Sequence, residues 1–203
     1  MLSNIISTQR FELIRDAIGR VLTAELANQV TLNEAEDELG IAVNIYLERT
    51  CPLDKEELPA INIVYSDTDF TDETTSVTSR GDNKYLIECY VNSASDATDS
   101  GDKKAAILLS KIMGMVRAIL MNNRNLYLDF TEKFIQTRRI KTITRTKPRI
   151  TNDAENIISG LLEAHYFAEE DTELQTAEIG TLLDTVVKLH DTDKGYKYEI
   201  VNT

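Results

Sequence analysis

The sequence has few of the residues with which proteins bind metals or form disulfides. Cys51 and Cys89 are its two cysteines, and His165 and His190 are its two histidines. Two cysteines cannot form a disulfide framework, and none of these four residues has neighbours at the spacing of the common metal sites. The sequence therefore predicts no metal, no cofactor and two idle thiols in a reduced compartment.

The common catalytic motifs are missing too. The sequence contains no GxGxxG, GxxxxGKS/T, GxSxG or HExxH, so phosphate cradling, a nucleophile elbow and zinc hydrolysis lack support. Asp67, Asp69 and Asp72 are not followed by the glycine turn and terminal glutamate of an EF-hand loop. We predict that the chain is not an enzyme. A metal-dependent nuclease or hydrolase that uses these carboxylates is the alternative from a different class.

Long apolar runs are absent as well. No uninterrupted apolar run approaches the roughly 20 residues that span a bilayer, and the first residues lack a basic segment followed by an apolar one. The composition of 42% hydrophobic and 28% charged residues is typical of a soluble globular protein. These features predict no membrane association, no signal peptide, and production and use inside a cell.

Basic charge is scarce overall but concentrated in one segment. The formal net charge of -12, from 34 acidic and 22 basic residues, argues against general attraction to nucleic acid. Between Lys133 and Arg149, however, seven residues are basic and none is acidic. Acidic residues crowd 66–83 and 163–178 instead. The charge distribution is therefore a mosaic.

The best-defined stretch runs from Lys84 to Asn122. Alternation over Lys84–Asn92 predicts a strand with one uniformly apolar side, made by Tyr85, Ile87, Cys89 and Val91. Apolar residues then recur at three- and four-residue spacing from Ala105 to Leu120, which predicts a long amphipathic helix. Its start is marked by the short polar residues Asp99, Ser100 and Asp102. A strand and a helix with one apolar side each predict the nucleus of a two-layer α+β domain.

The pattern predicts several further elements on either side of this stretch. An amphipathic helix is expected over 8–27, followed by a polar connection from Asn28 to Glu38. A strand over Gly40–Leu47 should pair with one over Ala60–Tyr65, entered at Pro59. The acidic segment Ser66–Asn83 predicts a long hairpin loop, which is either a contact arm or a solvated loop.

The C-terminal half is predicted to be mostly extended. A basic strand is expected near 138–146, and 156–167 fits either a helix or a strand, of which we favour the strand. Ile179–Leu189 fits a buried final strand of the sheet, which Tyr196–Val201 could extend. Together these elements predict one α+β domain over 1–203, with a curved, mostly antiparallel sheet flanked by an N-terminal helix and one long central helix. Its additions are the acidic loop over 66–83 and a basic extended insertion over 122–152.

Three segments carry a resemblance to a known family. They are Glu57–Ile63 (ELPAINI), Leu86–Val91 (LIECYV) and the helix from Lys104 to Leu120. In this order they resemble the tail terminator, or tail completion, proteins of long-tailed bacteriophages, over roughly residues 8 to 122. The resemblance implies an α+β subunit of a hexameric ring that caps the head-proximal end of the tail tube and stops its polymerisation. It implies no enzymatic activity and no cofactor.

The resemblance also implies partners and a location. The partners are further copies of the chain, the tail tube protein, a neck or head-completion protein and, in a contractile tail, the sheath protein. The location is the virion tail, assembled in the cytoplasm of the host bacterium, and neither specific nucleic-acid binding nor a membrane is implied. The alternatives are a neck or head-completion connector and an acidic regulatory binding module.

The charge mosaic predicts where such subunits meet. A head-to-tail ring needs two different patches on each subunit, and opposite charges favour one register. The candidate interface residues are Arg138, Arg139, Lys141, Arg145, Lys147 and Arg149 on the basic side and Asp67, Asp69, Asp72 and Glu73 on the acidic side. The alternatives are a solvated basic face and, ranked lower, a basic lining for a pore through which DNA passes.

Overall fold

The computed structural model describes residues 8–35, 40–50, 53–70, 78–93, 100–146 and 157–171, together with 187–188 and 197–198. The chain divides into a unit of Ser7–Asp171 and a second unit of Met1–Ile6 with Thr172–Thr203. The larger unit contains all of the helices described below and the main sheet.

Two α-helices and five strands make up the described part of the larger unit. In chain order they are α1 (Arg10–Ala35), β1 (Asn44–Leu47), β2 (Ala60–Phe70), β3 (Thr78–Val91), α2 (Gly101–Met121), β4 (Ile135–Thr146) and β5 (Ile158–Asp171). The strands form one sheet in the order β1-β2-β3-β5-β4. The pair β1–β2 is parallel and the other pairs are antiparallel. The predicted α+β class, with an N-terminal and a central helix on a mostly antiparallel sheet, is confirmed.

Both helices pack on the same face of this sheet, which we call the covered face. Tyr85 of β3 donates a hydrogen bond from its hydroxyl to the carbonyl of Phe11 in α1, at 2.8 Å. Gly160 of β5, which pairs with Cys89, lies against Met113 of α2. Because Tyr85 and Cys89 point to the same side of β3, the two helices share that side.

The alternation predicted for β3 is confirmed residue by residue. The four members of its apolar set, Tyr85, Ile87, Cys89 and Val91, are each fully buried. On α2 the apolar stripe meets them, with Leu109, Ile112 and Val116 buried. Of the three polar residues predicted to mark its start, Ser100 is the N-cap residue, but its side chain makes no capping hydrogen bond. Burial raises the pKa of the Cys89 thiol to about 12, so this cysteine is an inert core residue. Cys51 lies outside the described residues.

Two predicted boundaries are wrong. Helix α1 continues to Ala35, so the polar connection predicted from Asn28 does not begin there. The physical reason is that polar residues with good helix propensity extend a helix whose first turns are anchored by packing. The strand predicted over Gly40–Leu47 is confirmed from Asn44 onward, and its predicted pairing with Ala60–Tyr65 is confirmed in parallel orientation. Strand β2 begins directly after the cis Leu58–Pro59 bond.

The prediction of a long loop over Ser66–Asn83 is also wrong for most of its length. Strand β2 runs on to Phe70 and β3 begins at Thr78, so the segment forms the two arms of a hairpin. Polar residues are tolerated there because they bond across the two strands, as Thr68 and Asn83 do at 2.6 Å. Residues 71–77 between the arms lie outside the described part of the chain.

The basic segment is a strand of the main sheet. Asn123–Asn125 forms a short 3-10 helix after α2, and β4 then pairs along β5 at one edge of the sheet. The predicted basic strand over 138–146 and the preference for a strand over 156–167 are both confirmed.

The predicted final strand is placed differently. Of Ile179–Leu189 the structure describes β6 (Val187–Lys188), which pairs antiparallel with β7 (Lys197–Tyr198) in a separate two-stranded sheet. The prediction that this segment adds a strand to the main sheet is therefore wrong for the described residues. None of the described helices is long and apolar enough to cross a membrane.

Candidate interaction surface

The face of the sheet opposite the helices, which we call the open face, carries a dense group of charged residues that the fold brings together. Period-two alternation and the strand register place side chains from four adjacent strands there. They are Asp67 and Asp69 on β2, Asp82 and Lys84 on β3, His165 and Glu163 on β5, and Arg139 on β4. Lys141, at a β-bulge of β4, reaches the same face through its bond to Glu163.

An imidazole held between two carboxylates lies at the centre of this group. His165 is only 2% exposed; its Nδ1 lies 3.0 Å from Asp82 Oδ2 and its Nε2 lies 2.9 Å from Glu163 Oε1. Through these two contacts the ring links Asp82 of β3 to Glu163 of its own strand.

Two cations of β4 complete this cluster. Arg139 Nη2 lies 2.9 Å from Asp82 Oδ2, and Lys141 Nζ lies 3.2 Å from Glu163 Oε1. The hydrogen bond from His165, followed by that from Lys141, lowers the pKa of Glu163 to about 2. The edge strand is therefore tied to the rest of the sheet by ion pairs as well as by its backbone.

A second group of ion pairs lies on the hairpin arms. Lys84 Nζ lies 2.7 Å from Asp67 Oδ1 and 2.5 Å from Asp69 Oδ2. The hydrogen bonds to Asp67 and then Asp69 raise the pKa of Lys84, and the bond from Lys84 in turn lowers the pKa of Asp67. The charges of Asp67 and Asp69, two of the predicted interface residues, are thus balanced by Lys84 on the neighbouring strand β3.

Of the remaining predicted interface residues, the structure describes Arg138 and Arg145. Arg138 turns to the other side, where its guanidinium donates to the carbonyls of Asn122, at 2.6 Å, and Asn125. Burial lowers the pKa of Arg138. Arg145 is exposed. The other four, Lys147, Arg149, Asp72 and Glu73, lie outside the described residues.

Basic and acidic groups therefore do meet, but within one chain. Arg139 and Lys141 bond to Asp82 and Glu163, and the acidic candidates Asp67 and Asp69 bond to Lys84. An intersubunit role for the ten candidates stays a prediction.

A groove lies on the open face beyond the ion pairs, beside β2 and β3. It has a volume of about 630 Å³, and its described lining includes the apolar side chains of Leu53, Leu58, Val64 and Ile157. Ile157 is 38% exposed. An apolar recess with a few polar groups is typical of a surface that accepts a side chain or segment of a partner.

Glu88 supplies the negative charge of this groove. Its Oε2 accepts hydrogen bonds from Asn62 Nδ2 and from the Tyr90 hydroxyl, each at 3.0 Å. Both donors are neutral, so the two bonds orient the carboxylate without balancing its charge. Burial first, and the charge of Glu88 second, raise the pKa of Tyr90 to about 12.

The cation at the rim of the groove is already paired. The Arg49 guanidinium bonds both carboxylate oxygens of Glu57, at 2.7 and 2.8 Å, and lies over the Tyr46 ring at 4.5 Å. The bond from Arg49 is the main reason why the pKa of Glu57 falls to about 2. Arg49 therefore borders the groove as a fixed, neutralised group.

Sequence reasoning missed the residues at the centre of the ion-pair cluster around His165 and of the groove that contains Glu88. Asp82, Glu88 and Glu163 alternate with apolar residues along their strands, which marks them as facing away from the core. That signal is present in the sequence, but their neighbours depend on how β3, β5 and β4 are aligned, and periodicity carries no register information.

Comparison with known proteins adds no assignment. No protein-family model matches the chain, and no curated protein matches it significantly. Within the described residues, no group of three or more His, Cys, Asp or Glu side chains is arranged to hold a metal ion.

Proposed function

We propose that this chain is a structural assembly protein of a long-tailed bacteriophage, a tail terminator. It would form a ring at the head-proximal end of the tail tube, stop tube polymerisation and offer the surface to which the head is joined. The observation that carries the proposal is the fold, since the order of helices and strands in the larger unit agrees with the fold that the resemblance implies.

The sheet edges and the open face support an assembly role. Strand β4 is a 12-residue edge strand, and no strand within the described residues pairs with its outer side. Such an edge exposes backbone donors and acceptors that a neighbouring molecule can satisfy. The β4 edge and the groove beside β2 and β3 are two different patches on one subunit, which is what a head-to-tail ring requires.

The decisive experiment is the length of the tails made without this protein. Deleting its gene from the phage that encodes it should give overlong tails by negative-stain electron microscopy, because tube growth would lack its stop. Plasmid-borne wild-type protein should restore the normal length. Tails of normal length detached from filled heads would instead assign the chain to the neck or head-completion class.

The mass of the protein in solution is a second, independent measurement. Native mass spectrometry of the purified chain, alone and with tail tubes, should show a closed oligomer of about six copies, as the resemblance implies. A chain that stays monomeric in both samples, and whose loss leaves tails unchanged, would contradict the proposal.

A further inference from the structure

The acids of the open face are not equivalent. Asp82 and Glu163 bond to cations of β4, and Asp67 bonds to Lys84. Among the described residues, Glu88 accepts hydrogen bonds from the neutral groups of Asn62 and Tyr90, and the cation that borders its groove, Arg49, is bonded to Glu57. A partly buried carboxylate without a counter-charge favours an incoming cation, because the low local dielectric strengthens their attraction.

The cations of β4 are not equivalent either. Arg138 is bonded to carbonyls, while Arg139 and Lys141 are bonded to carboxylates. Arg145 is exposed and makes no hydrogen bond or ion pair within the described residues. The positive charge of Arg145 contributes slightly to lowering the pKa of Asp102, which is lowered chiefly by the hydrogen bond from the Ser100 hydroxyl.

An exposed apolar side chain accompanies Arg145. Ile143 is 45% exposed, and the register pairs Ile143 with Leu162 and Arg145 with Gly160, so the two point to the same side of β4. Residues two apart on a strand are separated by about 6.6 Å. The end of β4 therefore presents one apolar and one cationic group side by side, at a free sheet edge.

We infer that the Glu88 groove of one copy of this chain receives the Ile143–Arg145 end of β4 from a second copy. Arg145 pairs with Glu88, and Ile143 lies against the apolar wall that includes Leu58 and Val64. The argument rests on charge complementarity, because within the described residues Glu88 forms no ion pair and Arg145, which feels the charge of Asp102 only weakly, forms no hydrogen bond or ion pair. This inference rests on the proposed function and names the contact between neighbouring ring subunits.

The positions of the two patches suit a ring rather than a closed pair. The groove lies on the open face beside β2 and β3, whereas the donor residues Ile143 and Arg145 lie on the edge strand β4 and point to the opposite side of the sheet. Each copy can therefore insert its β4 end into the groove of one neighbour and receive the β4 end of another neighbour in its own groove. Such head-to-tail contacts repeat from copy to copy until the rotation closes a ring.

The test changes each of the two charges in the full-length chain. Native mass spectrometry and light scattering over a concentration series then measure self-association. Glu88→Gln keeps the shape and its hydrogen-bond acceptor but removes the charge, and Arg145→Glu reverses the donor. Each should weaken self-association by about tenfold or more. The matched control is Arg117→Glu, the same change at an exposed position of α2, and it should leave association unchanged.

Rescue gives the sharper outcome. Glu88→Arg and Arg145→Glu chains should each stay dissociated alone and should assemble when mixed, because each supplies the complement of the other. Urea denaturation of each variant separates a failure to fold from a failure to associate, and Glu88→Gln serves if Glu88→Arg does not fold.

Three results would overturn the inference. Wild-type oligomers that are unaffected by Glu88→Gln and Arg145→Glu would exclude this contact while leaving the terminator proposal intact. A wild-type chain that is monomeric at every concentration would exclude self-docking, and tail length after gene deletion would still judge the terminator proposal. A Glu88→Gln chain that self-associates normally but no longer binds tail tubes would assign the groove to another protein.

Discussion

The two faces of the main sheet share the same strands but differ in what holds them. Ile87 of β3 is fully buried beneath the helices, whereas its neighbours Leu86 and Glu88 stay partly exposed on the open face. On the covered face, stability comes from the transfer of apolar surface out of water, about 1.5–3 kcal/mol for each large side chain. On the open face it comes from ion pairs that solvent screens.

The difference separates stability from recognition. Where α1 and α2 lie on it, the covered face is closed, so a partner cannot reach the buried residues there without unfolding the protein; at the edge strand β4, Ile143 and Arg145 of the same face stay exposed. The open face has charges that are satisfied at one end, around His165, and a carboxylate at the other end, Glu88, whose charge has no counter-ion among the described residues. Substitutions on the two faces should therefore differ in size and in the property they change.

The largest effect is expected from neighbouring residues on opposite faces. Ile87→Ala should reduce the free energy of unfolding by about 2–5 kcal/mol, because it removes buried methyl groups and leaves a cavity under the helices. Leu86→Ala, one residue earlier on the open face, should cost less than half of that. Urea denaturation at neutral pH measures both, and equal losses would mean that the open face is as closely packed as the covered face.

A medium effect is expected where β5 passes under α2. Gly160 has no room for a methyl group, because an added Cβ would overlap the Met113 sulfur. Gly160→Ala should therefore cost about 1–3 kcal/mol, depending on how far the methionine can shift. Gly114→Ala is the matched control, since nothing lies within 4 Å of the added Cβ.

In the control, alanine favours the helix, so Gly114→Ala should stabilise the protein by about 0.5–1 kcal/mol. Thermal unfolding followed by circular dichroism measures both variants. A Gly160→Ala protein as stable as wild type would show that β5 and α2 can separate without cost.

The smallest effect is expected from the ion pairs of the open face, and it depends on pH. The pKa of Glu163 is lowered to about 2 in the folded protein from an ordinary value of 4.5. The unfolded chain therefore binds the proton more readily, and this contribution to stability is fully present above about pH 4.5. It is lost as the pH falls from there towards 2.

Glu163→Gln removes this contribution, so the variant should be less stable than wild type at pH 7 and should approach it as the pH falls below 4. Urea midpoints at pH 7, 4.5 and 3 measure the difference. Asp69→Asn, at a carboxylate that is 73% exposed, is the control and should change little at any pH. A difference that stays constant from pH 7 to 3 would contradict the ionic explanation.

Local pattern predicted the elements well where one face is uniformly apolar. Strand β3 and helix α2 were predictable because the spacing of apolar residues along each element reveals which of its sides is buried. Two of the errors lie where polar residues continue an element, in the last turns of α1 and in the hairpin arms that end at Phe70 and begin at Thr78. Polar residues there are stabilised by anchoring in the fold and by cross-strand bonds, which a local pattern does not contain.

The candidate site was less predictable than the fold. The sequence shows where basic and acidic residues cluster along the chain. It could not show that Arg139 pairs with Asp82, 57 residues earlier in the chain. It also could not distinguish Arg145 from the other basic residues of β4, because only the fold shows that Arg138, Arg139 and Lys141 have partners among the described residues.

By itself, then, the sequence determined which residues are buried on β3 and α2, the α+β class and the charge mosaic, since each is written in local spacing and composition. The tertiary structure alone decided the strand order β1-β2-β3-β5-β4 and with it the environment of every open-face charge. The physical reason is that hydrogen bonds and ion pairs act over a few ångströms. Register brings His165 between Asp82 and Glu163 and leaves Glu88 with neutral partners in a groove.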